Sequence, residues 1–583
     1  MKKLFNHKLL VIAIICCQQV ALAQSDKIRL NQLGFYPNAP KIAIWTGDKQ
    51  SMFFVLGANK LDTVFRGALS EQRISSISQK KTQVADFSTL KKTGKYFLSV
   101  KGSEVSYPFE ISKDIHRKAA IASLKGFYYQ RVSTDLPEAY AGKWHRKAGH
   151  PDNAVLIHAS ATSESRPENS LISSPKGWYD AGDYNKYIVN SGITMGTLFS
   201  LYEDHPAYIK GFQTNIPESN NSVPDLLDEA LWNLRWMLTM QDPADGGVYH
   251  KLTNPSFDAM VMPDKATKPR YVVQKNTIST LDFAAVMAQA SRIFKSYQKQ
   301  LPGLSDSCLN AAIKAWKWAK ANPSVLYQQN EMNKKFDPDI VTGGYEDRNS
   351  SDEWIWAAIE LYITTKDDSY YTAVNLYPDT PLQLPTWSQV RMLGYYSLLR
   401  AEKYITNAGK KDIPVLKKQL IAFADNLMSG VETQAYQMVM GKTARDYMWG
   451  SSSHAANQGI ALLQAYYASG DKKYLTGALS NLDYLLGRNA VGYSFLTGIG
   501  SKQVMHPHHR PSEADGIAEP VPGLLSGGPN PGQQDKCTTY TTKIPDESFT
   551  DDVCSYASNE IAINWNAPMV YLAAALEALQ SRF

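Results

Sequence analysis

The sequence predicts a mainly α-helical protein, a small β-sandwich followed by a large two-layer helical barrel. Three observations predict it. Short β-branched and aromatic runs, punctuated by Gly and Pro, fill residues 26–112. Helical hydrophobic periodicity then runs from about residue 115 to the end. No strand pattern alternates with those helices, which excludes a Rossmann or TIM arrangement. The 583 residues are 44% hydrophobic and 20% charged, a globular composition that rules out wholesale disorder and fibrous repeats.

The first element is an export signal. Met1 to Ala23 has a basic start, an apolar run from Leu9 to Cys17 and an Ala21-Leu22-Ala23 cleavage site before Gln24. The run is shorter than the roughly 18 residues a membrane span needs. A lipoprotein signal is the alternative, because Cys16 and Cys17 lie there, but Ile15 stands where a small residue is wanted. The expectation is a secreted or periplasmic protein with no membrane span.

The sandwich is read from Lys41–Trp45, Met52–Leu56 and Tyr96–Val100, and is expected over 24–112. The barrel is expected over 113–583. Leu226, Leu227, Ala230, Leu231, Leu234 and Met237 recur at helical spacing after Pro224. Ser279 to Ile293 is apolar nearly all round and must be buried. Trp354–Tyr362, Val390–Leu399, Ile460–Tyr467 and Trp565–Leu579 continue the series. Helices apolar on both sides fit an inner ring better than a simple bundle. Two stretches break the helical texture, Gly177–Asn190 and the Gly-, Pro-, His- and Asp-rich Ser501–Ser558.

Charge excludes one class of partner. The formal balance of +6 falls to +3 without Lys2, Lys3 and Lys8 of the signal, and no basic run with interleaved aromatics offers itself to nucleic acid. The chain has 33 Tyr and 12 Trp. These rings suit either a large core or a cleft that stacks on sugars. Cys537 and Cys554 can close a short loop in an oxidising compartment, or can stand with Cys308 as three buried thiols. There is no C-x-x-C and no zinc-finger spacing.

Three segments carry candidate chemistry. In Gly177-Trp178-Tyr179-Asp180-Ala181-Gly182-Asp183-Tyr184, two carboxylates sit on one tight turn leading into a helix. Helix capping is the plain alternative. Met505-His506-Pro507-His508-His509-Arg510 suggests a hydrogen-bonding cluster for a hydroxyl-rich substrate, or merely a polar loop; H-E-x-x-H metal spacing is absent. Glu560 is expected to open the last apolar helix. It is either a first-turn acid favoured by the helix dipole, or a proton donor whose pKa an apolar wall raises.

Together these segments resemble glycoside hydrolase family 9, the cellulases with an (α/α)6 barrel. Gly177–Asn190 is similar to the catalytic-base segment, Ser494-Phe495-Leu496-Thr497 through Arg510 to the histidine signature, and Phe549 through Glu560 to Ala567 to the acid signature. Ile28-Arg29-Leu30-Asn31-Gln32-Leu33-Gly34-Phe35 resembles the start of the immunoglobulin-like domain that precedes one branch of the family. The resemblance implies that Asp183 is the catalytic base, that Asp180 helps hold the water, and that Glu560 is the general acid. His508 and Arg510 are implied to contact sugar, Tyr556 to flank the cleft, and Trp356 to bind substrate. It implies inversion in one displacement, with the two carboxyl groups about 6.5–9.5 Å apart.

The expected activity is endo-acting hydrolysis of β-1,4-glucosidic bonds in cellulose-like, mixed or decorated β-glucans. An exo-acting cellodextrinase of the same family and a non-catalytic surface glycan-binding protein are the alternatives. A monomer needing no cofactor is expected. Members with the immunoglobulin-like domain often carry zinc on two Cys and two His; here Val132 and Gly149 stand where the cysteines would, with His150 and His158 nearby, so zinc is expected to be absent. Structural calcium is compatible with the family, without ligands assignable from the sequence.

Overall fold

The computed structural model describes residues 23–100 and 104–583. The export signal therefore lies outside the described residues, apart from Ala23. Among the described residues no helix is long and apolar enough to cross a membrane.

Two sheets, of seven and four strands, form the N-terminal sandwich. Their inner faces share one core of Phe35, Trp45, Phe53, Phe87, Leu98 and Phe109. Rings meet edge to face, as quadrupoles prefer: Phe35 lies 5.2 Å from Phe87 and 5.5 Å from Phe109. All three sequence-read strands are present, as Ile42–Trp45, Met52–Gly57 and Gly94–Val100. The last sandwich strand ends at Ile111, and the first barrel helix begins at Arg117.

The rest is a two-layer (α/α)6 barrel. Helices buried along most of their length make the inner layer: Ile188–Asp204, Thr277–Phe294, Ser351–Thr365, Arg391–Arg400, Ser451–Ser469 and Ile563–Ala578. The last of them packs against both the first and the fifth, which closes the ring. Outer helices with one apolar face cover it, among them Arg117–Tyr129, Asp225–Thr239, Leu304–Ala321 and Lys472–Leu485.

One expectation fails. The region after residue 115 is not uniformly helical. A five-stranded sheet, in the order Leu171–Ile172, Val155–Ile157, Tyr271–Val272, Lys251–Thr253, Lys186–Tyr187, sits at one end of the barrel. Its strands are two or three residues long, too short for any two-residue periodicity to register. This sheet delivers the Asp180–Asp183 turn to the barrel.

Trp356 is a second correction. It is completely buried between inner helices and not in the groove described below. Its ring fills the space that Gly196 leaves, where a Cβ would come within 2.6 Å of it, and its Nε1 donates to Glu360.

Candidate active site

Neither aspartate of the 177–184 segment caps a helix. The following helix begins at Ile188, with Tyr187 before it and no side-chain cap. Instead the turn is held rigid by its own aromatic rings, three of which work as scaffold. Trp178 is buried and its Nε1 donates to Glu229 (2.8 Å). Tyr179 Oη meets His150 Nδ1 (2.8 Å), and Tyr184 Oη donates to the Val261 carbonyl (2.5 Å). Tyr187 alone of the four faces the groove, and its hydroxyl points at Asp183 Oδ2 (3.4 Å).

The two acids have different surroundings. Asp180 is 1% exposed; Asn190 Nδ2 donates to both its oxygens (2.9 Å each) and Tyr345 Oη to one (2.9 Å). Burial, then the charge of Asp183, pushes its pKa up to about 8, so it holds a proton at neutral pH. Asp183 accepts from Asn185 Nδ2 and Tyr187.

Glu560 lies three residues before the final helix, on an extended segment bridged to His508, with Ala562 bridged to Ala181. The helix-dipole reading therefore does not apply. The Gly182 amide donates to Glu560 Oε1 (3.3 Å), and Ile563 N donates to the Asp180 carbonyl (2.8 Å). Backbone bonds thus lock the aspartate turn and the glutamate segment together. Burial first, and then the negative charge of Asp183, raises the Glu560 pKa well above the usual carboxylate range.

The histidine segment completes the frame. His508 Nδ1 lies 2.5 Å from the Val553 carbonyl, and burial lowers its pKa, so the ring is neutral. His509 is a buried strut between Gln130 and Ser512. Arg510 donates to the Gly182 carbonyl (2.8 Å) and twice to that of Asp258 (3.0 and 2.9 Å). Three of its five N–H groups are thereby committed to the scaffold, while the side chain still lines the groove.

All these groups open onto one groove of about 1000 Å³. Asp180, Asp183, His508, Arg510, Tyr556 and Glu560 all line it. Tyr556 lies 5.7 Å from Trp449 at 35°, and both rings are over one-third exposed, as is Phe257. Trp387, Trp565 and Tyr345 add further faces. Sequence reasoning missed Trp449, Trp387, Trp565 and Phe257. The abundance of Trp and Tyr was the signal, but it does not distinguish a groove ring from a core ring.

At the positions compared with a zinc site, Val132 packs with Tyr179, Tyr184 and Ala266. Both His158 nitrogens are used, by Ser160 and the Pro338 carbonyl. Among the described residues, one group of His, Cys, Asp or Glu brings three ligand atoms within 4.8 Å of one another: Cys537, Asp552 and Cys554. Its two sulfurs are bonded to each other as a disulfide, with Cα atoms 5.6 Å apart, while Cys308 is a buried free thiol.

A second set of acids sits inside the barrel. Asp282 and Glu353 are fully buried with all four oxygens unpartnered; Asp352 and Asp347 each have one unpartnered oxygen. Burial raises all four pKa values, that of Asp352 to about 6, and the charge of neighbouring acids adds to it at Asp282, Asp352 and Glu353.

Opposed carboxyl groups in an aromatic-lined groove at the end of a helical barrel define a glycoside hydrolase. The model of glycosyl hydrolase family 9 matches residues 116–573, and that of the cellulase N-terminal ig-like domain matches 23–105. The chain belongs to glycosyl hydrolase family 9. It is 47% identical over 569 residues to the xyloglucan-specific endo-beta-1,4-glucanase BoGH9A of Bacteroides ovatus, covering 97% of this chain and 96% of that protein. It is 32% identical over 556 residues to Endoglucanase D of Acetivibrio thermocellus, covering 94% and 82%. The solved structure of a Bacteroides ovatus GH9 protein superimposes with a TM-score of 0.91 at 46% identity, covering 95% of this chain and 99% of that one.

Proposed function

We propose that this protein is an exported, inverting endo-β-1,4-glucanase whose substrates are soluble decorated β-glucans of the xyloglucan type. The observation that carries the reading is the lock between the Asp180–Asp183 turn and Glu560 across an aromatic groove. Asp183 takes the proton of the attacking water. Asp180, fixed by Asn190 and Tyr345, orients that water. Glu560, kept protonated by burial, gives its proton to the leaving glycosidic oxygen. His508, Arg510, Tyr556 and Trp449 hold the flanking sugars. The likeness to a xyloglucan-specific relative supports the substrate class.

The test is a product profile on xyloglucan, barley β-glucan, carboxymethyl-cellulose and cellohexaose, with anomer analysis by NMR. Rapid viscosity loss, highest activity on xyloglucan and initial release of the α-anomer are expected. Slow viscosity loss with immediate release of short sugars would mean exo action. A retained β-anomer would refute the roles given to the acids.

The buried oxygens of Asp282, Asp347, Asp352 and Glu353 form an all-carboxylate donor set suited to a hard cation. We propose structural calcium for this set, its binding displacing the protons that burial otherwise keeps on these acids. Binding would draw the oxygens closer, since they do not yet meet the 4.8 Å spacing.

A further inference from the structure

Lys251 is a buried cation that the proposed mechanism leaves unused. It has no exposed surface, and among the described residues no carboxylate lies within ion-pair distance of it. Its Nζ donates to three neutral acceptors, Gln329 Oε1 (2.6 Å), the Gly343 carbonyl (2.6 Å) and Thr342 Oγ1 (3.1 Å), and lies 5.6 Å from the rings of Tyr187 and Tyr327. An unpaired buried ammonium is costly unless something nearby needs its charge.

Two short chains of contacts lead from it to the catalytic acids. Lys251 pairs with Tyr187 across the small sheet, so the two side chains lie on one face. Thr342 Oγ1 bonds Thr253 Oγ1 (2.6 Å), which bonds Asn185 Oδ1 (2.9 Å); the other end of that amide donates to Asp183. Gly343 also begins the Gly343-Gly344-Tyr345 stretch, whose Tyr345 reaches Asp180 and takes a left-handed φ of 45°. His250 secures the same stretch through the Gly344 carbonyl (2.8 Å).

We infer that Lys251 is a positioning residue for hydrolysis: its buried ammonium is the positive charge set facing Asp183, and its hydrogen bonds clamp the backbone from which Tyr345 holds Asp180. The charges facing Asp183 support this. Asp180 and Glu560, held protonated by burial, bring no positive charge to it, and Asp258 is a further acid. His508 and His250 are neutral, and Tyr187, Tyr327 and Tyr345 stay protonated. Arg510 is shared with two carbonyls and Asp258. Burial lowers the Lys251 pKa to about 7, against the pull of Asp183 first and Glu346 second, so the amine is charged where the base must stay ionised in acid.

The inference rests on Asp183 being the base. The experiment compares pH profiles of kcat/KM on xyloglucan for wild type, Lys251→Met, Lys251→Gln, Lys251→Arg and Asp183→Ala, with Tm measured on each. Without the positive charge Asp183 binds protons more readily. The acidic limb in Lys251→Met and Lys251→Gln therefore moves up by about one pH unit, with KM little changed. Lys251→Arg keeps the limb near its wild-type position. An unmoved limb in either folded charge-free variant overturns the inference. If Lys251→Met does not fold, Lys251→Gln, which retains donors for Gly343, carries the test. Activity in Asp183→Ala overturns the base assignment itself, whatever the lysine variants do.

Discussion

Gly182 is where the two halves of the active site touch, and replacing it by Ala tests that contact. The new Cβ would stand 2.0 Å from the His508 carbonyl oxygen and 3.2 Å from Glu560 Oε1. Ordinary contact begins at 3.4 Å, so the histidine segment and the turn must part by about 1.4 Å, the difference between 3.4 and 2.0. The contacts at risk are the Gly182 amide to Glu560, the Arg510 amide (3.2 Å) and Nη1 (2.8 Å) to the Gly182 carbonyl, and the Ala181–Ala562 bridge. A displacement of about 1 Å between reacting groups costs about 100-fold in rate, equivalent to about 2.7 kcal/mol of barrier. Gly182→Ala is expected to lose about 100-fold in kcat on xyloglucan while KM changes little, because Trp449, Trp387 and Phe257 are untouched. Initial rates by reducing-sugar release give kcat and KM, and Tm verifies the fold. A folded variant with kcat within about twofold of wild type would refute the idea that this contact sets the acid–base separation.

Glu560→Gln should lower kcat on glucans by about 10³, yet far less on a 2,4-dinitrophenyl cellobioside, whose leaving group needs no proton; equal losses on both would reject the acid role. Because burial holds Glu560 protonated above its ordinary range, wild-type activity should fall as pH rises through its folded pKa, and the variant should lack that alkaline limb. Chelation with EGTA should lower Tm, and added calcium should restore it; an unchanged Tm would exclude the acid set as a calcium site. In EGTA the native acids keep protons that the unfolded chain releases, so stability should decline as pH rises from about 4 through their raised folded values, including about 6 for Asp352. Replacing both Cys537 and Cys554 by Ser should raise KM several-fold and cost about 3 kcal/mol of stability, since the tied loop carries the Val553 carbonyl that meets His508 and leads into Tyr556; an unchanged KM would free the loop from any part in sugar binding.

What could be read from the sequence was whatever repeats with a period or concentrates unusual residues. Leu226 to Met237 and Ser279 to Ile293 gave their helices because 3.6-residue periodicity extends over several turns. Asp180, Asp183 and Glu560 stood out by chemistry, and they converge. The two-residue strand Lys186–Tyr187 could not be read, because it exists only through pairing with Lys251–Leu252 far along the chain. Trp356 was misplaced for a related reason. A Trp on a helix has one composition and two destinies, and the glycines at 196 and 394 that make room for it are visible only in three dimensions. Asp282 inverts the problem: an acid within an apolar helix looks like noise until Asp352 and Glu353 are found beside it.

The sandwich holds a loop that leads to the groove as well as covering the barrel. Tyr36, Ile42, Ile44 and Val84 join the barrel's own core, which is the covering part. The Asn31-Gln32 pair does something more specific. Asn31 Nδ2 donates to Asp483 (2.8 Å), the Gln32 amide to the Leu486 carbonyl (3.0 Å) and its Nε2 to that of Gly492 (2.9 Å), while Lys502 N donates to Gln32 Oε1 (2.7 Å). One glutamine therefore spans the loop that follows the helix ending at Leu485 and leads to the histidine segment. That loop continues through Met505 and His506, whose amides donate to Asp551, to His508, bridged to Glu560. Gln32→Ala is therefore expected to lower kcat on xyloglucan with every groove residue intact; an unchanged kcat in the folded variant would leave the sandwich a covering role alone.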